Sequence, residues 1–157
     1  AKAQDLVYSA WEAEDELTRR ALAVSAIHLD RDAIDAYVIL AGTSTDPRER
    51  MGLLREAAHR GNQRWASVTA DDRESFSWHD IECRPYLRAL HGLAELLADL
   101  DHLADAARTC DRILEIDPSD HTGARHLAIK INRRLGDMRT VERHRKPRPD
   151  ARFVTAA

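Results

Sequence analysis

A spacing of 34 residues organises the second half of this chain. Leu90, Leu93, Ala94 and Leu97 return as Ala124, Leu127, Ala128 and Ile131. Between the two copies run Leu103-Ala104-Asp105-Ala106-Ala107 and Ile113-Leu114-Glu115-Ile116-Asp117-Pro118. These segments carry apolar residues at helical spacing and end on a proline. One small helical hairpin cannot bury its apolar face alone, so repeated hairpins stack on their neighbours. The period therefore predicts an all-α fold, a short right-handed array of antiparallel helical hairpins.

Composition agrees with that prediction. Aromatic residues make up 5 % of the 157 residues, and there are no long Val/Ile/Thr runs, which argues against a β-rich fold. The length suits a single domain with a real core. No apolar run approaches the ~20 residues needed to cross a bilayer. The polar start, Ala1-Lys2-Ala3-Gln4-Asp5, resembles no signal peptide. The two cysteines, Cys83 and Cys110, make no disulfide framework, so a reduced, cytoplasmic setting is the simpler expectation. Cys110 falls on an apolar helical stripe and is expected in the core. A net charge of −3 hides an asymmetry. From Lys130 to Arg148 eight Lys/Arg stand against Asp137 and Glu142, giving +6 and leaving −9 for the remainder. Two faces of different electrostatic character are expected.

Along the chain, one domain is expected over 1–146, from hairpins at about 3–29, 32–61, 84–117 and 120–145. A long connection at 62–82 and a flexible tail at 147–157 complete it. Leu6, Val7, Ala10 and Trp11 mark the first helix. Asp15-Glu16 open the second, with Leu17, Leu22, Ala26 and Leu29 as its apolar positions. Ala33, Tyr37, Leu40 and Ala41 share one stripe of the third. Asp46 caps the fourth with Pro47 at its first position; it carries Met51, Leu54, Ala57 and Ala58 and stops near Gly61. In the connection, Trp65, Phe76 and Trp78 are read as pins that hold it to the helices. Pro85 opens a strong helix to about Leu100, and Pro118 ends the next one. Ser119 or Asp120 caps a helix to about Leu135, after which Gly136-Asp137 turns into a short basic helix. In the tail, Phe153 and Val154 become ordered only by docking on a neighbour.

Residues 90–118 resemble a tetratricopeptide repeat. Leu90 and Leu93 match its large apolar positions, Ala94 and Ala106 its small crossing positions, and Pro118 its closing proline. Ala26-Ile27-His28-Leu29-Asp30 followed by Asp35-Ala36-Tyr37-Val38-Ile39-Leu40-Ala41 looks like an earlier junction, with Arg31 in place of the usual proline. More narrowly, that second segment, Arg84-Pro85-Tyr86-Leu87-Arg88-Ala89 and Asp117-Pro118-Ser119-Asp120-His121-Thr122-Gly123-Ala124-Arg125 resemble bacterial repeat proteins related to the suppressor of tumorigenicity 7 family. Trp78 ahead of Arg84-Pro85-Tyr86 fits the same pattern. The resemblance covers roughly residues 4–142. It implies a tetratricopeptide-like α-solenoid. It implies no catalytic residues and no established activity, and the membrane location of eukaryotic members does not carry over.

Site chemistry was weighed against this scaffold. The eight histidines form no His-Glu-x-x-His, and His121 and His126 fall on different helix faces. There is no Cys-x-x-Cys, no Gly-x-Ser-x-Gly and no phosphate-cradling glycine-rich loop. The densest polar cluster, His79-Asp80-Glu82-Cys83, reads as a solvated loop, and Cys83 with His79 is the only local nucleophile–base pair. No metal, no cofactor and no catalysis are expected. The first helix of each hairpin is expected to line a concave groove. Tyr8, Arg88, His91, Glu95, Arg125 and Asn132 are the candidate ligand-binding residues, the arginines and Asn132 suited to a carboxylate or acidic peptide. Tyr86 is expected to pack rather than bind. The function expected is a non-catalytic scaffold for a protein or peptide, with a second copy of the chain as a further partner. The alternative is nucleic-acid association through 130–148, which lacks interleaved aromatics and sits in a negatively charged chain. An enzyme is the least favoured reading.

Overall fold

The computed structural model describes residues 2–65 and 81–146. The described residues form eight helices. They are α1 (Lys2–Glu12), α2 (Glu16–Leu29), α3 (Ile34–Thr43), α4 (Pro47–Trp65), α5 (Arg84–Asp99), α6 (Leu103–Ile116), α7 (Ala124–Leu135) and α8 (Met138–Arg145). Phe76, Trp78, His79, Asp80 and the tail with Phe153 and Val154 lie outside the described residues.

Local chemistry explains the boundaries. Asp15 and Asp137 cap α2 and α8 in the same way, each carboxylate accepting the backbone N–H three residues on, from Thr18 at 2.8 Å and Thr140 at 3.0 Å. Asp46 accepts the N–H of Arg48 at 2.9 Å, with Pro47 as the first residue of α4. Pro85 sits in the first turn of α5. Gly136 ends α7 in the left-handed region at φ 76°, where a side chain is disfavoured.

Each helix packs on the next in the chain. The odd-numbered helices α1, α3, α5 and α7 also touch one another in order, whereas among the described residues the backbones of α2, α4, α6 and α8 stay apart and are bridged by long side chains, Arg20 to Glu49 and His144 to Asp111. The odd helices thus share one face, and the even helices stand apart on the other. The core follows this order. Small residues, Ala10, Ala23, Ala26 and Ala36, are fully buried where α1, α2 and α3 cross. Tyr37, Trp65, Tyr86, Leu87 and Ile113 fill the centre. Ala94, Leu97, Ala106, Cys110, Ala128 and Ile131 bury the last crossings. The 34-residue echo is real in three dimensions: Leu90, Ala94 and Leu97 are buried, and so are Ala124, Ala128 and Ile131.

Several expectations are corrected. Gly61 does not stop α4; the helix continues to Trp65, so 62–65 belong to it rather than to the connection. The glycine is there for close approach. A Cβ at Gly61 would lie 2.1 Å from Cδ2 of Tyr86, whose side chain is fully enclosed. Trp65, one turn on, stacks on Tyr86 with centroids 5.9 Å apart and planes 11° apart. Leu17 and Leu29 are exposed, because the backbone of α2 packs on α1 and α3 and no other described helix comes close to its outer side. The helix expected from Ser119 or Asp120 begins at Ala124 instead. The residues before it form a turn in which the buried Asp117 accepts the N–H of His121 at 2.6 Å.

Candidate functional site

A cleft of about 690 Å³ opens on the odd-helix face. Its walls come from α1, the start of α3, the end of α4 and the start of α5. Tyr8 and Trp11 project from α1 into it and remain 56 % and 48 % exposed, although both are large and apolar in body. They point outward because Ala3, Val7 and Ala10 occupy the stripe of α1 that faces the core. Ile81 and Pro85 extend the apolar wall.

The charged part of the cleft is already neutralised by the fold itself. Arg88 Nε donates to Asp35 Oδ1 at 2.9 Å and Nη2 to Oδ2 at 2.6 Å, a bidentate pair that ties α5 to α3. Asp35 is buried at 5 % exposure, so this pair replaces its lost water. Arg64 pairs with Glu82 and lies over the Trp65 ring at 4.7 Å. Arg60 reaches Asp32 at 2.9 Å and lies over the Tyr37 ring at 5.5 Å. Among the described lining residues four carboxylates, Asp30, Asp32, Asp35 and Glu82, meet three arginines, Arg64, Arg84 and Arg88. The cleft is therefore not cationic.

Of the six residues proposed from sequence, the structure brings Tyr8 and Arg88 together in this cleft. His91 and Glu95 lie further along α5 as an i,i+4 pair, Nδ1 to Oε2 3.6 Å. Arg125 is turned back on its own loop. Its backbone N–H donates to the Asp120 carboxylate at 3.2 Å, and its Nη2 donates to the Pro118 carbonyl at 3.1 Å. Asn132 is buried rather than groove-facing. It stands 34 residues after Ala98, a position buried in both helices. Its amide Nδ2 donates to the Ala128 carbonyl at 2.8 Å, which satisfies the polar group inside the core.

Reading the sequence missed Asp35 as the partner of Arg88, and Trp65 as part of the cleft. Asp35 is 53 positions before Arg88, and no spacing rule links them. The Cys110 thiol offers little reactivity. Cys83 and Cys110 are both buried, and burial first, then the nearby Asp111 carboxylate, pushes the Cys110 thiol up to about 12. Among the described residues no group of three or more His, Cys, Asp or Glu gathers in metal-binding geometry. None of the described helices is long and apolar enough to cross a membrane. No family model matches the chain, and no curated protein or solved structure matches it either.

Proposed function

We propose that this chain is a non-catalytic, tetratricopeptide-like α-solenoid that holds a segment of a partner protein in the cleft on its odd-helix face. The observation that carries this reading is the pair Tyr8 and Trp11, two large side chains left half-exposed on the wall of a cleft built by α1, α3 and α5. Aromatic side chains placed this way give large contact area at low entropic cost. The arginine partners found within the fold change the expected ligand. Arg88 and Arg125 hold their own chain, so the cleft selects for apolar anchors before carboxylates. The two buried thiols agree with a reduced, cytoplasmic setting.

The test compares wild type with the Tyr8→Ala/Trp11→Ala double variant in affinity capture after nuclease treatment, read by mass spectrometry. A reproducible partner held by the wild type and lost by the variant, with an unchanged thermal melt, supports the cleft. A partner set that is identical for both proteins sinks it. Partners that vanish with nuclease instead transfer the weight to the basic C-terminal helices.

A further inference from the structure

The even-helix face carries a second groove, and its chemistry is the reverse of the cleft. Because α4 and α6 both pack on α5 but not on each other, a gap of about 450 Å³ lies between them. The α4 wall is Arg55, Ala58, His59 and Asn62, at i, i+3, i+4 and i+7. The α6 wall is Asp105, Arg108, Thr109 and Arg112, at the same spacing. Each wall is thus one face of a helix over two turns, roughly 10 Å of axis. The floor is α5, through Tyr86, Leu90 and Leu93, again at helical spacing.

Three arginines on these walls stand against two carboxylates, Asp105 in the groove and Glu115 beside Arg112. Arg55 is exposed and makes no ion pair among the described residues. Arg108 is exposed and pairs only with Asp105 one turn before it on its own helix, a contact that an incoming carboxylate can replace. Arg112 is held at the floor by the Tyr86 hydroxyl and by Glu115 at 3.3 Å, so its position is set in advance. Leu93 remains partly exposed between the walls.

The geometry points to this groove as a docking site for an acidic amphipathic helix of a partner protein. The walls are helices and offer no strand edge, so an extended peptide would find no backbone partners there. A helix arrives with its own backbone hydrogen bonds made. Its apolar stripe would meet the partly exposed Leu93, and flanking Glu or Asp residues would meet Arg55 on one wall and Arg108 and Arg112 on the other. Nucleic acid is disfavoured because Tyr86 is enclosed and already stacked on Trp65, which leaves the floor no aromatic face for a base. The inference stands on the arrangement of α4, α5 and α6 and does not depend on the cleft.

The probe is a labelled synthetic helix of about four turns, with leucines at i, i+3, i+4 and i+7 and glutamates flanking them. Its control has lysine for every glutamate. Binding to the full chain is read by fluorescence anisotropy at two salt concentrations. The acidic helix is expected to bind saturably and the lysine helix not at all. Arg55→Glu and Arg108→Glu, both at exposed positions where folding is not at risk, are each expected to weaken binding by about tenfold, and Tyr8→Ala/Trp11→Ala to leave it unchanged. The inference is overturned if the acidic helix fails to bind or binds no better than the lysine helix. It is equally overturned if binding survives both charge reversals, or if a single-stranded oligonucleotide binds more tightly at the same residues.

Discussion

The two helical faces engage their arginines to different degrees. On the odd-helix face Arg88 and Arg64 are engaged by Asp35 and Glu82, and what projects into solvent is aromatic. On the even-helix face the floor is apolar and largely covered, and what projects is cationic, with Arg55 and Arg108 at the surface. A thin partition separates the two. Trp65 lines the cleft, Tyr86 lines the groove, and the two rings stack on each other against Gly61. The lesson is that an arginine's presence in a sequence does not say whether its charge is available. Availability depends on whether the fold has brought a carboxylate to it.

The partition offers the severest test of this contrast. Gly61→Ala places a methyl where the enclosed Tyr86 ring already is. In an open helix the same change would stabilise by about 1 kcal/mol. Here a loss of roughly 3 kcal/mol is expected from overpacking, which lowers Tm by roughly 6–12 °C. A melt that rises would show that α4 and α5 do not meet at this glycine. Next in size is Arg88→Ala, which leaves Asp35 buried without its bidentate partner. Arg88 is itself partly exposed, so the cost is expected at about 2 kcal/mol, below that of a fully buried pair. The double variant Arg88→Ala/Asp35→Asn should recover part of it in denaturant titrations. If the two changes simply add, the pair is not what neutralises the cleft.

Smaller still in stability is Tyr8→Ala/Trp11→Ala. Both side chains are half-exposed, and the pair should change unfolding free energy by less than about 0.5 kcal/mol per site while removing cleft binding. A large loss of stability would mean that they are core residues and would blur the contrast between the faces. The least effect is expected from acid, and it compares the two ends of the array. Hydrogen bonds from Thr18, hydroxyl first and then backbone N–H, hold the Asp15 carboxyl below the usual carboxylate range. Thr140 does the same for Asp137. Because the folded value is depressed, the capping contribution is fully present above the unfolded pKa of about 4 and is lost as pH falls through the lower folded value. Helicity by circular dichroism should therefore be flat from neutral pH to about pH 5 and begin to fray at both ends below about pH 4. Asp15→Asn with Asp137→Asn keeps a capping side chain that does not titrate and should flatten that acid limb.

Legibility varied with the range of the interaction. Asp46, Pro85 and Gly136 were read correctly because each acts within a few residues of itself, whereas Asp15, read as a charge in the first turn, caps α2 from just outside it. The buried Cys110 followed from its place on an apolar stripe. The α3 stripe was only partly legible, because that helix is buried nearly all round, Asp35 included. Gly61 was misread as a stop because a glycine that ends a helix and a glycine that admits a neighbouring ring look identical in sequence. Asn132 was misread because it was assigned to the groove by its place in the repeat, whereas that place is a core position, which a back-bond to Ala128 lets it occupy.

By itself the sequence determined the all-helical class, several helix ends and the 34-residue recurrence of the buried positions, since helical periodicity, caps and breakers are local or nearly so. The tertiary structure alone decided which charges are satisfied and where clefts remain. Asp35 meets Arg88 across 53 residues, Gly61 meets Tyr86 across two helices, and the groove exists only because α4 and α6 share α5 without touching. These are distances between elements that are set when the helices stack. Sequence spacing, which reports one helix at a time, carries no measure of them.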